Sequence, residues 1–450
     1  MAHVVFSNND VEVIFFKGSS DYLLITFAPL NAYADGSFFW GKGLAVRQNI
    51  STLGFVAKRG NWYPMASMCR AIEAASEVVA NFSKIITYGA SMGGYAALKY
   101  SKALGANKVI AMAPQYSIEP AVMENFDDRF LKHFVPNWND NMAIRREDVC
   151  GISYVFYDPI FEEDRKNVDL IENAGCEIVR MKVFYVNHFP TEIFASTASA
   201  MSLLGYVLQD NVLSIKKLVR DCRKRSAVRI RFLVEALSRG RKLLAERILQ
   251  KYGAKLEDAV RAQAYHKIAL QYKAQGFNEG VIRCFLQASS LMPQHIGYMK
   301  ELIVAYTKAG DATNALEIGN RALLINGSDP HLCNAVAGAL MASGDLAAAE
   351  ALLVKALSIM EHVEFFIRLA KIKEMQSRIY EAIECAKRAL ALDGDKLRMY
   401  EVLASLYLKN MQAGAATETL DKGLALCPSN ERLINLRVKS LRLADSEASA

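Results

Sequence analysis

From Ala262 onwards the sequence repeats itself every 33 or 34 residues. Repeats that begin at Ala262, Ile296, Pro330, Val363 and Leu397 place Ala269, Ile303, Ala337, Ala370 and Ala404 at their eighth position. The twentieth position holds Val281, Ala315, Ala349, Ala382 and Ala416, and the twenty-seventh holds Ala288, Ala322, Ala356, Ala389 and Gly423. A unit of this length has room for two helices and a turn, and it cannot bury its apolar face without a neighbour. Small side chains at fixed positions let paired helices approach closely, and the motifs AQG, KAG and ASG mark the turn in the first three units. The spacing therefore predicts five stacked helix pairs over 262–430. ERLINLRVKSLRL then supplies a terminal capping helix, with the tail, over 431–450.

The period and its small-residue pattern resemble the tetratricopeptide repeat family over five units, although the family's aromatic positions are only partly kept. The resemblance implies an all-α solenoid whose concave surface docks a protein partner. A generic helical bundle is the plainer alternative. Upstream, residues 209–261 form a basic helical connector or a divergent first repeat. Between 213 and 261 there are fifteen Lys/Arg against five Asp/Glu, so this segment outweighs the chain's whole net charge of +7. Leu and Val at helical spacing favour a solvated helical face. An anionic membrane surface is the alternative partner, while nucleic acid is disfavoured because no nucleic-acid-binding motif accompanies the charge.

The eight cysteines are scattered singly, without a CxxC pair or a His/Cys cluster at ligand spacing. Reduced thiols and no metal or organic cofactor are the expectation. With no secretory signal and no apolar run long enough to cross a bilayer, the expected location is cytoplasmic.

Residues 1–208 have another rhythm. VEVIFF (11–16), YLLITFAP (22–29), STLGFVA (51–57), KIITYG (84–89), KVIAMAP (108–114), ISYVFYD (152–158) and EIVRMKVF (177–184) are strand-like, and several are apolar throughout. Continuous apolar strands imply burial on both faces, as in a parallel sheet covered by helices. Helical patterns at 65–79, 95–104 and 164–174 separate them, so the fold class of this half is α/β.

Within it, GASMG (89–93) puts Ser91 between a strand and a helix. A strand-to-helix elbow strains the serine backbone and projects its hydroxyl above the sheet edge, provided glycines make room. A serine becomes a nucleophile only when a base takes its proton and a carboxylate holds that base. His188, in the loop YVNHFP after the last strand, is the candidate base, and His133 covers the site. Asp158, at the end of ISYVFYD, is the candidate acid. Asp164 is the alternative, explained more simply as a helix N-cap.

GASMGG, the Asp158 strand end and the His188 loop make residues 1 to about 205 resemble the α/β-hydrolase family. That resemblance implies an oxyanion hole from the N–H of Met92 and a second N–H in FAPLNAYADG, where Pro29 cannot donate and Leu30 or Asn31 can. The only sizeable lid candidate is 116–146, where Phe126, Phe130, Phe134 and Trp138 recur at spacings of four, as on an amphipathic helix. KRGNWYP carries Arg59, Trp62 and Tyr63, which suit a sugar or acyl-anion group or simply anchor the loop. The resulting expectation is a serine esterase or deacylase that works through an acyl-enzyme on ester-bearing small molecules or acylated saccharides. An acyltransferase with the same triad, or a non-catalytic adaptor acting through its repeats, are the alternatives.

Overall fold

The structure is a computed structural model that describes residues 2–124, 126–392 and 397–448. Residue 125 of the lid candidate and the last two residues of the tail lie outside the described residues. The chain divides into two compact units, one comprising 1–236 with 248–256 and the other 237–247 with 257–450. The division therefore falls inside the basic stretch rather than at its start.

The first unit is built on eight strands: β1 Ala2–Ser7, β2 Val11–Phe16, β3 Leu23–Phe27, β4 Thr52–Ala57, β5 Ile85–Ala90, β6 Lys108–Met112, β7 Ile152–Tyr157 and β8 Ile178–Lys182. All seven strand-like runs are strands, and β1 adds an antiparallel edge. The spatial order is β1-β2-β4-β3-β5-β6-β7-β8. β2 is antiparallel to both its neighbours, and every pair from β4 to β8 is parallel.

Seven helices accompany the sheet: α1 Lys42–Gln48, α2 Met65–Ala80, α3 Met92–Lys99, α4 Pro120–Met123, α5 Glu162–Asn173, α6 Thr197–Leu208 and α7 Val212–Arg225. Strand side chains alternate between two cores. Ile25, Phe27, Val109, Ala111, Val155 and Tyr157 pack with α2, α3 and α5. Leu24, Ile110, Met112, Tyr154 and Phe156 pack with α6 and with Ile215 and Val219 of α7. Ile215 and Val219 of the first connector helix are thus core, while Lys216, Lys217 and Arg220 are solvated.

Connectivity fixes where a site can lie. From β3 the chain moves to β4 on one side, and from β5 to β6 on the other. The order reverses between β3 and β5, and the crevice beyond their carboxyl ends is where open α/β sheets accept ligands.

In the connector, α8 is Ala227–Ser238 and α9 is Lys242–Tyr252. Helix pairs follow: α10 Asp258–Ala274 with α11 Asn278–Leu291, α12 Ile296–Lys308 with α13 Ala312–Asn326, and α14 Pro330–Ser343 with α15 Leu346–Ile359. Then come α16 Val363–Met375 with α17 Ile379–Leu392, α18 Leu397–Lys409 with α19 Ala413–Leu426, and the single helix α20 Glu431–Ala448. The fifteen recurring small or short side chains of the five repeats are all buried, because each lies where two helices cross. Among the described residues no helix is long and apolar enough to cross a membrane.

Segment 116–146 departs from expectation. Among its described residues it holds only α4, a 3-10 turn at Leu131–His133 and, at its end, the start of another at Arg146–Asp148. Pro136 interrupts any longer helix, and Asp127 and Arg129 direct their side chains into a buried ion network. The four-residue aromatic spacing is thus not a helical stripe, and Trp138 is 45% exposed.

Candidate active site

β5 ends at Ala90 and α3 begins at Met92, so Ser91 alone makes the turn, with φ 52° and ψ −121°. This is a strained region for a residue with a side chain, at a cost of about 1–3 kcal/mol. The surroundings hold it there. Ser91 N–H donates to Met112 O (2.8 Å), and its carbonyl accepts from Tyr95 N–H (2.9 Å). Gly89 and Gly93 are required by close approach. A Cβ on Gly89 would lie 2.0 Å from Gly93 O, and one on Gly93 would lie 2.2 Å from Phe27 O. The first turn of α3 is thereby pressed against the end of β3, in the crevice that the topology defines.

His188 reaches this point from the loop after β8. Tyr185 and Asn187 both have left-handed backbones, with φ 64° and 53°. The Asp158 carboxylate accepts N–H bonds from Val186 (2.8 Å), Asn187 (2.9 Å) and Ile160 (3.0 Å). The loop is therefore folded around that carboxylate. At its tip, His188 Nε2 lies 2.9 Å from Ser91 Oγ.

On the other side of the ring, His188 Nδ1 lies 2.8 and 2.9 Å from the two carboxylate oxygens of Asp164. The acid on the histidine is Asp164, and the expectation of Asp158 is corrected. Asp164 stands in the first turn of α5, but Phe161 is the N-cap and no side chain caps the helix. Its carboxylate instead turns away from the helix end, towards the ring. Asp158 is committed to backbone N–H groups, an arrangement that leaves it to shape the loop that presents the ring. Burial pushes its carboxyl above the usual aspartate range, with the N–H bonds from Ile160, Asn187 and Val186 opposing.

A second layer went unseen in the sequence. Arg129 donates to Asp164 (3.1 Å) and forks onto Asp127 (2.7 Å to each oxygen). Asn167 donates to the same Asp127 carboxylate (2.8 Å) and accepts from Tyr116 N–H (2.7 Å). Asp127 and Asp164 are almost wholly excluded from solvent. Burial alone would lower the basicity of Arg129, but the two carboxylates outweigh it and hold the guanidinium above its usual range. Its plane lies 5.0 Å from the rings of both Phe130 and Phe161, which also flank His188 at 6.0 and 6.4 Å. Gln115 Nε2 is 3.4 Å from Ser91 Oγ, and its Oε1 is buried without a partner. Arg129, Asp127, Asn167 and Gln115 had no signal in the sequence, since the contacts that tie them to Ser91, to Asp164 and across the network span 24 to 51 residues.

Met92 N–H lies in the first turn of α3, where helix N–H groups lack intrahelical partners and favour negative charge. Leu30 and Asn31 follow β3 in a turn closed by Ala32 N–H on Pro29 O (3.2 Å), and Asn31 has φ 69°. The remaining candidates are corrected. Tyr63 is fully buried and donates to Ala28 O and Phe55 O (2.8 and 3.1 Å). Trp62 is equally buried, against Phe130 and His133. Arg59 pairs with Asp10 at 2.7 Å and covers Trp138 at 5.0 Å. These side chains anchor their loop, because two consecutive left-handed residues at 62 and 63 turn both rings into the core.

No family model matches the chain, and no curated protein does. Solved structures similar to it are tetratricopeptide repeat proteins that match its helical C-terminal part. A thermophilic TPR protein from Thermus thermophilus is 21% identical over 41% of this chain and 98% of its own, with a TM-score of 0.35. PilW, described as a widely conserved type IV pilus biogenesis factor, is 16% identical over 46% and 96%, with a TM-score of 0.39. MamA is 16% identical over 37% and 91%, with a TM-score of 0.32.

Proposed function

We propose that the first unit is a serine hydrolase of the α/β-hydrolase fold and that the repeats dock a protein partner. The observation that carries this reading is a single imidazole bridging Ser91 Oγ and a buried carboxylate, with both contacts under 3 Å. Chain order Ser91, Asp164, His188 is the order of that fold, and the elbow context is the one its motif requires. In the proposed reaction His188 Nε2 takes the proton of Ser91 as Oγ attacks an ester carbonyl. Asp164 holds the Nδ1–H tautomer and balances the imidazolium, and Met92 N–H faces the developing oxyanion. The imidazolium then protonates the leaving alcohol. Water, activated by the same ring, releases the acid and regenerates the serine; an alcohol in place of water makes the step an acyl transfer.

An adaptor reading has its own support, since the similar solved structures are repeat proteins. A groove of about 770 Å³ runs along the first helices of the later repeats and α20, with Ile367, Val402 and Leu436 between Arg368, Arg398 and Arg432. The two readings separate on one experiment. A fluorophosphonate probe should label the wild type and leave Ser91→Ala unlabelled. Asp164→Asn should lose about 10³–10⁴-fold in ester turnover, as when a triad aspartate can no longer fix the tautomer, while Asp158→Asn should keep the larger share. A folded wild type that takes no label would leave the adaptor reading standing alone.

A further inference from the structure

Away from Ser91, the first unit has a cavity of about 440 Å³ between the end of β8 and the exposed face of α7. Lys216, Arg220 and Arg223 line it from α7, at spacings that put them on one helix face. Lys182 and Phe184 line it from β8 and the residues after it, and Met181 and Val219 supply buried apolar floor. Arg180 stands at the margin and is already neutralised by Asp169 and Glu172, at 2.8 and 2.6 Å. No carboxylate lines the cavity. Among the described residues Lys182, Lys216 and Arg223 have no ion-pair partner, and Arg220 reaches only the exposed carboxylate of its neighbour Asp221, at 3.5 Å.

Arg223 separates this cluster from an ordinary solvated helix face. A surface arginine keeps its head in water, whereas this guanidinium lies 5.6 Å from the Phe184 ring with its Nε buried and unpartnered. Arg229 Nε is buried and unpartnered as well. Burial, and then the proximity of Arg229, hold Arg223 below the usual arginine range. Like charges gathered and partly desolvated are costly until an anion joins them.

We propose that this cavity binds a phosphate group, a monoester or a diester, carried on a molecule with an apolar portion. Among the described residues Lys182, Lys216 and Arg223 have no ion-pair partner and Arg220 reaches only exposed Asp221; buried Asp158 attracts Arg223 but is held by backbone N–H groups, so the cluster's positive charge exceeds what one carboxylate would neutralise. An arginine fork with two lysines matches the tetrahedral oxygens of phosphate, and the floor of Met181, Val219 and Phe184 accommodates the apolar portion. The site stands whether or not Ser91 is a nucleophile.

The group could arrive on a soluble metabolite or on a lipid headgroup, and the full chain distinguishes these. Inorganic phosphate, against chloride at equal ionic strength, should raise the melting temperature if the ligand is soluble. Sedimentation with phosphatidylglycerol vesicles, and not with phosphatidylcholine vesicles, marks a lipid headgroup. In either arm K216Q/R220Q should weaken binding at least tenfold, as should Arg223→Gln, and Ser91→Ala should not. K217Q/K224Q carries the same charge change on exposed positions of α7 outside the cavity and should bind like the wild type. Absence of binding in both arms, or equal weakening by the control pair, would overturn the proposal. Because Lys216 and Arg220 are exposed, the first pair tests it even if Arg223→Gln does not fold.

Discussion

Asp158 and Asp164 lie six residues apart, both almost excluded from water, and their surroundings give them opposite work. Asp164 faces a ring and a guanidinium; Asp158 faces three backbone N–H groups. The second arrangement has a signature in pH. The Asp158 carboxyl is raised in the folded state, so the protein favours its protonated form. Its contribution to stability is therefore fully present below the ordinary aspartate value of about 4 and is lost as pH rises through the raised value. Asp158→Asn should flatten this part of the stability profile of the first unit, read as the difference in melting temperature from wild type across mildly acidic pH. A difference that is constant with pH would show that the carboxyl is not raised.

Among the elements, α3 and α9 show two ways in which a few positions tie one segment to another. α3 starts where it does because Gly89, Gly93 and Gly94 let its first turn touch the ends of β3 and β6. In the second unit, Glu246 of α9 accepts from Arg283 (2.7 and 3.0 Å) and from Tyr272 (2.6 Å), bonds that fasten α9 to α10 and α11. Burial alone would raise the Glu246 carboxyl, but the bonds from Arg283 and Tyr272 outweigh it and hold it below its ordinary value. The stabilisation is thus present above the ordinary glutamate range and lost as pH falls through the depressed value. Glu246→Gln should cost about 1–3 kcal/mol near neutrality, the scale for breaking a buried charged hydrogen bond. That cost should shrink in acid, as urea unfolding followed at pH 7 and pH 3 would reveal.

At the scale of the molecule, the apolar interior is divided. The sheet's two faces have their own cores, and the repeats carry a succession of small ones between adjacent helices. A solenoid gains stability from nearest neighbours, whereas a sheet sandwiched by helices gains it from strands distant in sequence. Heating should therefore not be a single two-state event. Calorimetry should give a van't Hoff enthalpy well below the calorimetric one, and a single transition with equal enthalpies would contradict the division.

The helical period of the second half was legible without coordinates, because each repeat contacts its neighbours in sequence and small residues must recur at every crossing. The seven strands were legible as short apolar-rich runs, most clearly β3 and β4, where burial on both faces leaves no polar alternation. So were Ser91, at the turn between β5 and α3, and His188, in the loop after β8. The choice between two aspartates was not legible, nor was the ion network of Asp127, Arg129 and Asn167, nor the burial of Trp62 and Tyr63. Those depend on which side chains meet across dozens of residues and on backbone turns at positive φ. Only the folded sheet brings β7, α5 and the loop after β8 to one place, and that convergence decided which carboxylate faces the histidine.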